Sequence, residues 1–87
     1  MADTLRLRLY TPEQQLLDDD VEEVVAPAAY GEIGVLPKHA ALVTTLEEGV
    51  LRYKRAGKVT QVRIGGGFAE VRDDVMTVLA DSGEPVN

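Results

Sequence analysis

Leu5, Leu7 and Leu9 alternate with Arg6, Arg8 and Tyr10 near the start of the chain. Successive side chains of a β-strand point to opposite faces, so this alternation describes a strand with one buried and one wetted face. The period of two returns through the rest of the sequence, and no long stretch carries the 3.6-residue spacing of an amphipathic helix. A chain patterned in this way is confined to all-β architectures.

The turn signals divide the pattern into short strands. Pro12 is expected to end the first of them. Leu16-Leu17 opens a second apolar run, and Val21, Val24 and Val25 carry a third, which Pro27 is expected to close. The acidic stretch Asp18, Asp19, Asp20, Glu22 and Glu23 reads as a solvated connector whose charges blunt a sheet edge. Between positions 50 and 64 the pattern is that of a hairpin, with Ala56-Gly57 joining Leu51 and Tyr53 to Val59, Val62 and Ile64. A second hairpin runs from Phe68 through Val71, across Arg72-Asp73-Asp74, to Val75 through Leu79. Helix is limited to short pieces, such as a turn at positions 38–42 after Pro37. Short strands with arms close in sequence predict an antiparallel β-sandwich or flattened barrel.

Eighty-seven residues make one domain, spanning 1–87, with no room for a second hydrophobic core. The absence of cysteine excludes a disulfide framework and thiolate metal sites. A formal charge of -6 disfavours nonspecific binding to nucleic acid or to an anionic membrane surface. Four aromatic residues, three Tyr and one Phe, are too few for a stacking platform on single-stranded nucleic acid. Met1-Ala2-Asp3-Thr4 lacks the features of a secretory signal, and no apolar run approaches the roughly 20 residues of a membrane span. A soluble protein that reaches a membrane only through partners is expected.

Candidate chemistry is sparse. Gly65-Gly66-Gly67 has the look of a phosphate loop, but Glu70 stands where the dinucleotide fingerprint needs glycine, and no long helix follows. A bend or bulge where strands approach closely is the expectation. The acidic run fails as a calcium loop because Glu23 and Ala29 occupy the turn-glycine and bidentate-glutamate positions. His39 is the only histidine, and a general base or pH sensor has to be weighed against a contact role. With no second histidine and no cysteine, a metal site is not expected, since carboxylates alone favour hard cations. Arg52, Lys54, Arg55, Lys58 and Arg63 form a basic set opposite the acids at positions 13–23, an asymmetry that could steer an oriented partner.

The most particular stretch is 31–49. Gly31, Gly34 and Pro37 bend the backbone, His39 follows, and the apolar run of Leu42, Val43 and Leu46 begins at once. It reads as a bent loop held up for contact.

The order Gly31-Glu32-Ile33-Gly34-Val35-Leu36-Pro37, then His39-Ala40, Leu42-Val43-Thr44, Leu46 and Gly49, is similar to the N-terminal domain of the epsilon subunit of F-type ATP synthases. Gly66-Gly67-Phe68-Ala69-Glu70-Val71 and the later Val75, Thr77-Val78-Leu79-Ala80-Asp81 resemble the same family, as does the opening through Thr11-Pro12-Glu13. The resemblance implies a ten-stranded β-sandwich on the central rotor stalk, touching the gamma subunit and the c-ring, with no catalytic residue and no cofactor. It sets Gly31, Glu32, Ile33, Gly34 and His39 near the polar loops of the c-ring. It also implies a peripheral location on the cytoplasmic face of a bacterial energy-transducing membrane.

Lys38 stands where that family often has glycine or asparagine, and Ala41 where proline is usual. The family continues past the Ala80-Asp81 match into a two-helix C-terminal domain associated with inhibition of ATP hydrolysis, and in some members with ATP binding. Because this sequence stops at Asn87, neither property is expected of it. The competing reading is a small acidic binding or carrier module. Lys58 lies beside a turn, but Arg55-Ala56-Gly57-Lys58-Val59 lacks the setting of a lipoyl or biotin lysine.

Overall fold

A computed structural model describes residues 3–86; Met1, Ala2 and Asn87, which the single-domain expectation includes, lie outside the described residues. Eight strands follow one another: β1 (Leu5–Tyr10), β2 (Gln15–Val21), β3 (Glu23–Ala28), β4 (Gly31–Val35), β5 (Leu42–Arg55), β6 (Lys58–Arg72), β7 (Val75–Ala80) and β8 (Gly83–Pro85). The hydrogen-bonded path is β2-β1-β7-β6-β5-β3-β4, with β8 added beside β6. The path ends at β2 and β4, so the sheet does not close, and the flattened-barrel alternative gives way to the sandwich.

Ten strands were expected and eight are found. The difference lies in β5 and β6, which are 14 and 15 residues long and serve both layers. The second half of β6 pairs with β7, while its first half pairs with β8. The second half of β5 takes β3 from Glu23 to Val25. One layer is therefore β2, β1, β7 and the inner halves around Gly67 to Val71 and Leu42 to Leu46. The other is β8, β3, β4 and the hairpin arms at Lys58 to Gly65 and Glu48 to Arg55.

Between the layers runs a crease. The β5–β6 ladder keeps one register from Leu42↔Val71 to Arg55↔Lys58, with no pair at Glu47 and Gly66. Core positions change parity there: Leu46 gives way to Leu51 along β5, and Ile64 to Ala69 along β6. A strand that exchanges its two faces without slipping must rotate its backbone. Gly66 and Gly67 do so with φ of +102° and +138°. At Gly67 a Cβ would lie 2.0 Å from the Leu79 carbonyl oxygen, so glycine also allows the close approach of β6 and β7. The glycine triplet is thus the expected bend, without a register shift between β5 and β6.

Leu5, Leu7 and Leu9 are buried, as their alternation predicts, against Val21, Val24, Leu51, Ile64, Met76 and Val78 in one core. Four expectations need correction. Asp18, Asp19 and Asp20 are not a connector but lie within β2, because Arg8 and Arg6 stand opposite Asp18 and Asp20 and offset their charge. Pro27 does not end its strand; it sits inside β3 at a shift of register against β5, where a missing N–H costs no ladder bond. Pairing is not wholly antiparallel, since β1 runs parallel to β7 from Arg6↔Val75 to Tyr10↔Leu79. Residues 38–42 form no helical turn, and β5 begins at Leu42.

Candidate docking surfaces

The stretch singled out for its bends is only partly a loop. Gly31 to Val35 form β4, paired with β3 from Ala28↔Gly31 to Val24↔Val35, and the bend follows at residues 36–39. Gly31 has φ of +117°, where other residues are strained, and follows the fully exposed Tyr30. β4 ends the hydrogen-bonded path, so one backbone edge is open beside Glu32 and the exposed Gly34.

Glu32 holds Arg52 in a two-point pair. Arg52 Nη1 donates to Oε2 at 3.0 Å and Nη2 to Oε1 at 3.2 Å. This hydrogen bonding, and secondarily the guanidinium charge, holds the Glu32 carboxyl below its ordinary range and raises Arg52. Ile33 is half-buried and packs on the core. His39 Nδ1 lies 2.7 Å from the Ala40 carbonyl oxygen, an acceptor, which assigns the Nδ1 proton to that bond. Glu32 is thus committed to Arg52, and His39 to its own backbone. The fold brings Gly31, Glu32, Ile33 and Gly34 onto one edge strand with the turn of His39 after it, but makes no acid–base pair of them.

The acidic and basic segments, far apart in sequence, meet across the sandwich. Arg55 donates to Asp19 at 3.3 Å, and the Gly57 N–H donates to Glu22 at 3.1 Å. Glu23 and Lys54 are directly opposed in the β3–β5 ladder. Of the basic set, Arg52 and Arg55 are thus paired inside the chain.

What sequence reasoning did not locate is the apolar face on the outside of the first layer. Phe68 and Leu79 are cross-strand partners exposed at 46% and 42%, Tyr10 is opposite Leu79 on β1, and Val43 is 68% exposed. Tyr10, Pro12, Phe68 and Leu79 line a cleft of about 290 Å³. The signal was present in parity: Phe68 and Leu79 are out of step with the buried Ala69, Val71, Val78 and Ala80. A second groove, about 310 Å³, lies along the crease, and there Arg63 is flanked by Glu48 and Glu84. Among the described residues no group of three His, Cys, Asp or Glu could hold a metal ion, and no helix is long and apolar enough to cross a membrane.

An open sheet edge and an exposed apolar face are features by which β-sandwich domains meet partners. The sequence pattern of the β-sandwich domain of the ATP synthase delta/epsilon chain matches residues 4–86. The ATP synthase epsilon chain of Desulfitobacterium hafniense is 48% identical over 85 residues, covering 98% of this chain and 64% of that protein. The epsilon chain of Carboxydothermus hydrogenoformans is 45% identical over 84 residues, covering 97% and 63%. A chain in the cryo-EM structure of the Euglena gracilis mitochondrial ATP synthase, OSCP/F1/c-ring in rotational state 1, superposes with a TM-score of 0.90 at 30% identity, over 94% of this chain and 53% of that one. A chain of the Tetrahymena thermophila mitochondrial ATP synthase central stalk and c-ring shares the fold, with a TM-score of 0.82 at 18% identity, over 94% and 66%. The protein belongs to the ATP synthase delta/epsilon chain family through its β-sandwich domain. It spans 64% of the length of the D. hafniense relative.

Proposed function

We infer that this sandwich is a non-catalytic coupling piece of an ATP synthase central stalk. The edge formed by Gly31, Glu32, Ile33 and Gly34, with the turn of His39, meets the c-ring, and the apolar face of Val43, Phe68 and Leu79 meets the gamma subunit. Such a protein does no bond chemistry. It holds two partners in fixed relation while ion flow turns the stalk, and it sits at the membrane surface through them. The supporting observation is the exposed Phe68–Leu79 pair on a domain whose epsilon-chain relatives are named for the ATP synthase and whose structural neighbour comes from an assembly containing a c-ring.

The areas are adequate. An interface of on the order of 1,000 Å² takes about half of that from each partner, so two interfaces use roughly a fifth of the 5326 Å² surface.

The test compares Phe68→Ser/Leu79→Ser with Glu32→Ala/His39→Ala. Co-purification with gamma is expected to fall in the first, and proton-driven ATP synthesis in reconstituted vesicles in the second, with both variants folded. Wild-type assembly and coupling in both would refute the reading.

A further inference from the structure

Residues 36–39 form a turn whose third residue is the wrong type for its conformation. The His39 N–H donates to the Leu36 carbonyl at 3.2 Å, Pro37 is second, and Lys38 is third with φ of +66°. Proline second and a positive φ third make a type II turn, and that third position favours glycine or asparagine because a longer side chain strains there. Lysine has neither the freedom of glycine nor the short polar group of asparagine, so the conformation must be imposed from outside.

The imposing group is Asp74. Its Oδ1 accepts the Lys38 backbone N–H at 2.5 Å, reaching across from the tip of the β6–β7 hairpin. Asp74 is itself well anchored. Its carbonyl accepts the Arg6 N–H at 2.8 Å, and Asp73 and Asp74, with φ of +53° and +62°, are the central residues of a two-residue hairpin turn of the type I′ kind. The Lys38 ammonium also lies 3.6 Å from Asp3, but both side chains are largely exposed and that contact is weak. A charge-assisted bond to a backbone N–H is the stronger restraint.

We propose that Asp74 is a positioning residue: a latch that holds Lys38 left-handed and so fixes the path by which the chain leaves β4, presents His39 and enters β5. Its importance for docking rests on the reading of residues 31–39 as a contact surface; the latch itself does not. It ties the hairpin tip of one layer to the corner that follows the edge strand of the other. A glycine at position 38 would hold the positive φ without help, whereas lysine depends on the carboxylate.

The experiment uses Asp74→Gly, Lys38→Gly and the double variant in the 87-residue chain. Glycine at 74 suits the second position of a type I′ turn, so the hairpin survives while the carboxylate is lost. Amide hydrogen exchange at Lys38 is expected to rise roughly tenfold in Asp74→Gly, the scale of one charge-assisted hydrogen bond, with Leu7 unchanged. Affinity for a purified gamma–c-ring subcomplex is expected to fall by a similar factor and to return within about twofold of wild type in Lys38→Gly/Asp74→Gly, since an unstrained turn needs no latch. Unchanged exchange at Lys38 would overturn the latch. Lost affinity that Lys38→Gly fails to restore would overturn the positioning role. Faster exchange with undiminished affinity would leave the latch standing and overturn the docking reading of residues 31–39.

Discussion

Replacing Gly67 by alanine tests the crease directly. The added Cβ would lie 2.0 Å from the Leu79 oxygen, 2.8 Å from Ala80 Cα and 3.0 Å from the Leu79 carbonyl carbon, all backbone atoms that no rotamer can move aside. The residue would also keep φ of +138°, which costs a non-glycine residue about 1–3 kcal/mol. Forced overpacking adds about 1–3 kcal/mol, so the total is roughly 2–6 kcal/mol. A chain of 87 residues has a stability of about 4–13 kcal/mol, so this is a large fraction of it. At about 4–8 °C for each kcal/mol, Tm should fall by about 8 °C or more. Two neighbours grade the argument. Gly66→Ala shares a positive φ, but its nearest contact would be an ordinary 3.5 Å, so only the conformational cost of about 1–3 kcal/mol remains. Gly34→Ala meets nothing within 4 Å at an ordinary φ and should change stability by no more than about 0.5 kcal/mol. With no tryptophan in the chain, far-ultraviolet circular dichroism in urea is the appropriate assay. If Gly67→Ala is no worse than Gly66→Ala, the close approach of β6 and β7 is not what selects glycine.

Two further outcomes are expected. Arg52 depresses the Glu32 carboxyl below its ordinary 4.5, by hydrogen bond first and charge second. A depressed folded-state pKa contributes stability that is full above the unfolded value and lost as pH falls through the folded one. The advantage of wild type over Glu32→Gln should therefore be flat from neutrality to about pH 5 and shrink below it; an NMR titration placing Glu32 at or above 4.5 would contradict this. Leu7→Ala, at a fully buried position, should cost about 2–5 kcal/mol in urea unfolding, against less than about 0.5 kcal/mol for the exposed Val43→Ala.

The alternation of Leu5, Leu7 and Leu9 was legible because a half-buried strand writes its two faces directly into the sequence. Both hairpins were legible for the same reason, aided by Ala56-Gly57 and Asp73-Asp74 at their turns. The placement of Asp18 to Asp20 was not, because charge reads as solvent exposure until the opposing Arg6 and Arg8 are known. Pro27 misled because its tolerance depends on a register shift against a strand some twenty positions later. The ten strands implied by the family resemblance become eight because β5 and β6 each run through both layers, changing parity at Leu46–Leu51 and Ile64–Ala69 without a shift of register. Gly31, Glu32, Ile33, Gly34 and His39 were legible as a distinctive series. That Glu32 is occupied by Arg52, and Lys38 by Asp74, depends on contacts across the fold that no local pattern encodes.

The two long strands also have a mechanical meaning. The apolar face of Phe68 and Leu79 belongs to one layer and the Gly31 edge to the other, yet β5 and β6 run unbroken through both. A force applied at one face is therefore carried to the other through covalent backbone, and not solely through side chains pressed together in the core. Two layers joined only by packing can slide over each other under shear. Here they are bridged by a pair of continuous beams, clamped to each other in register along nearly their whole length.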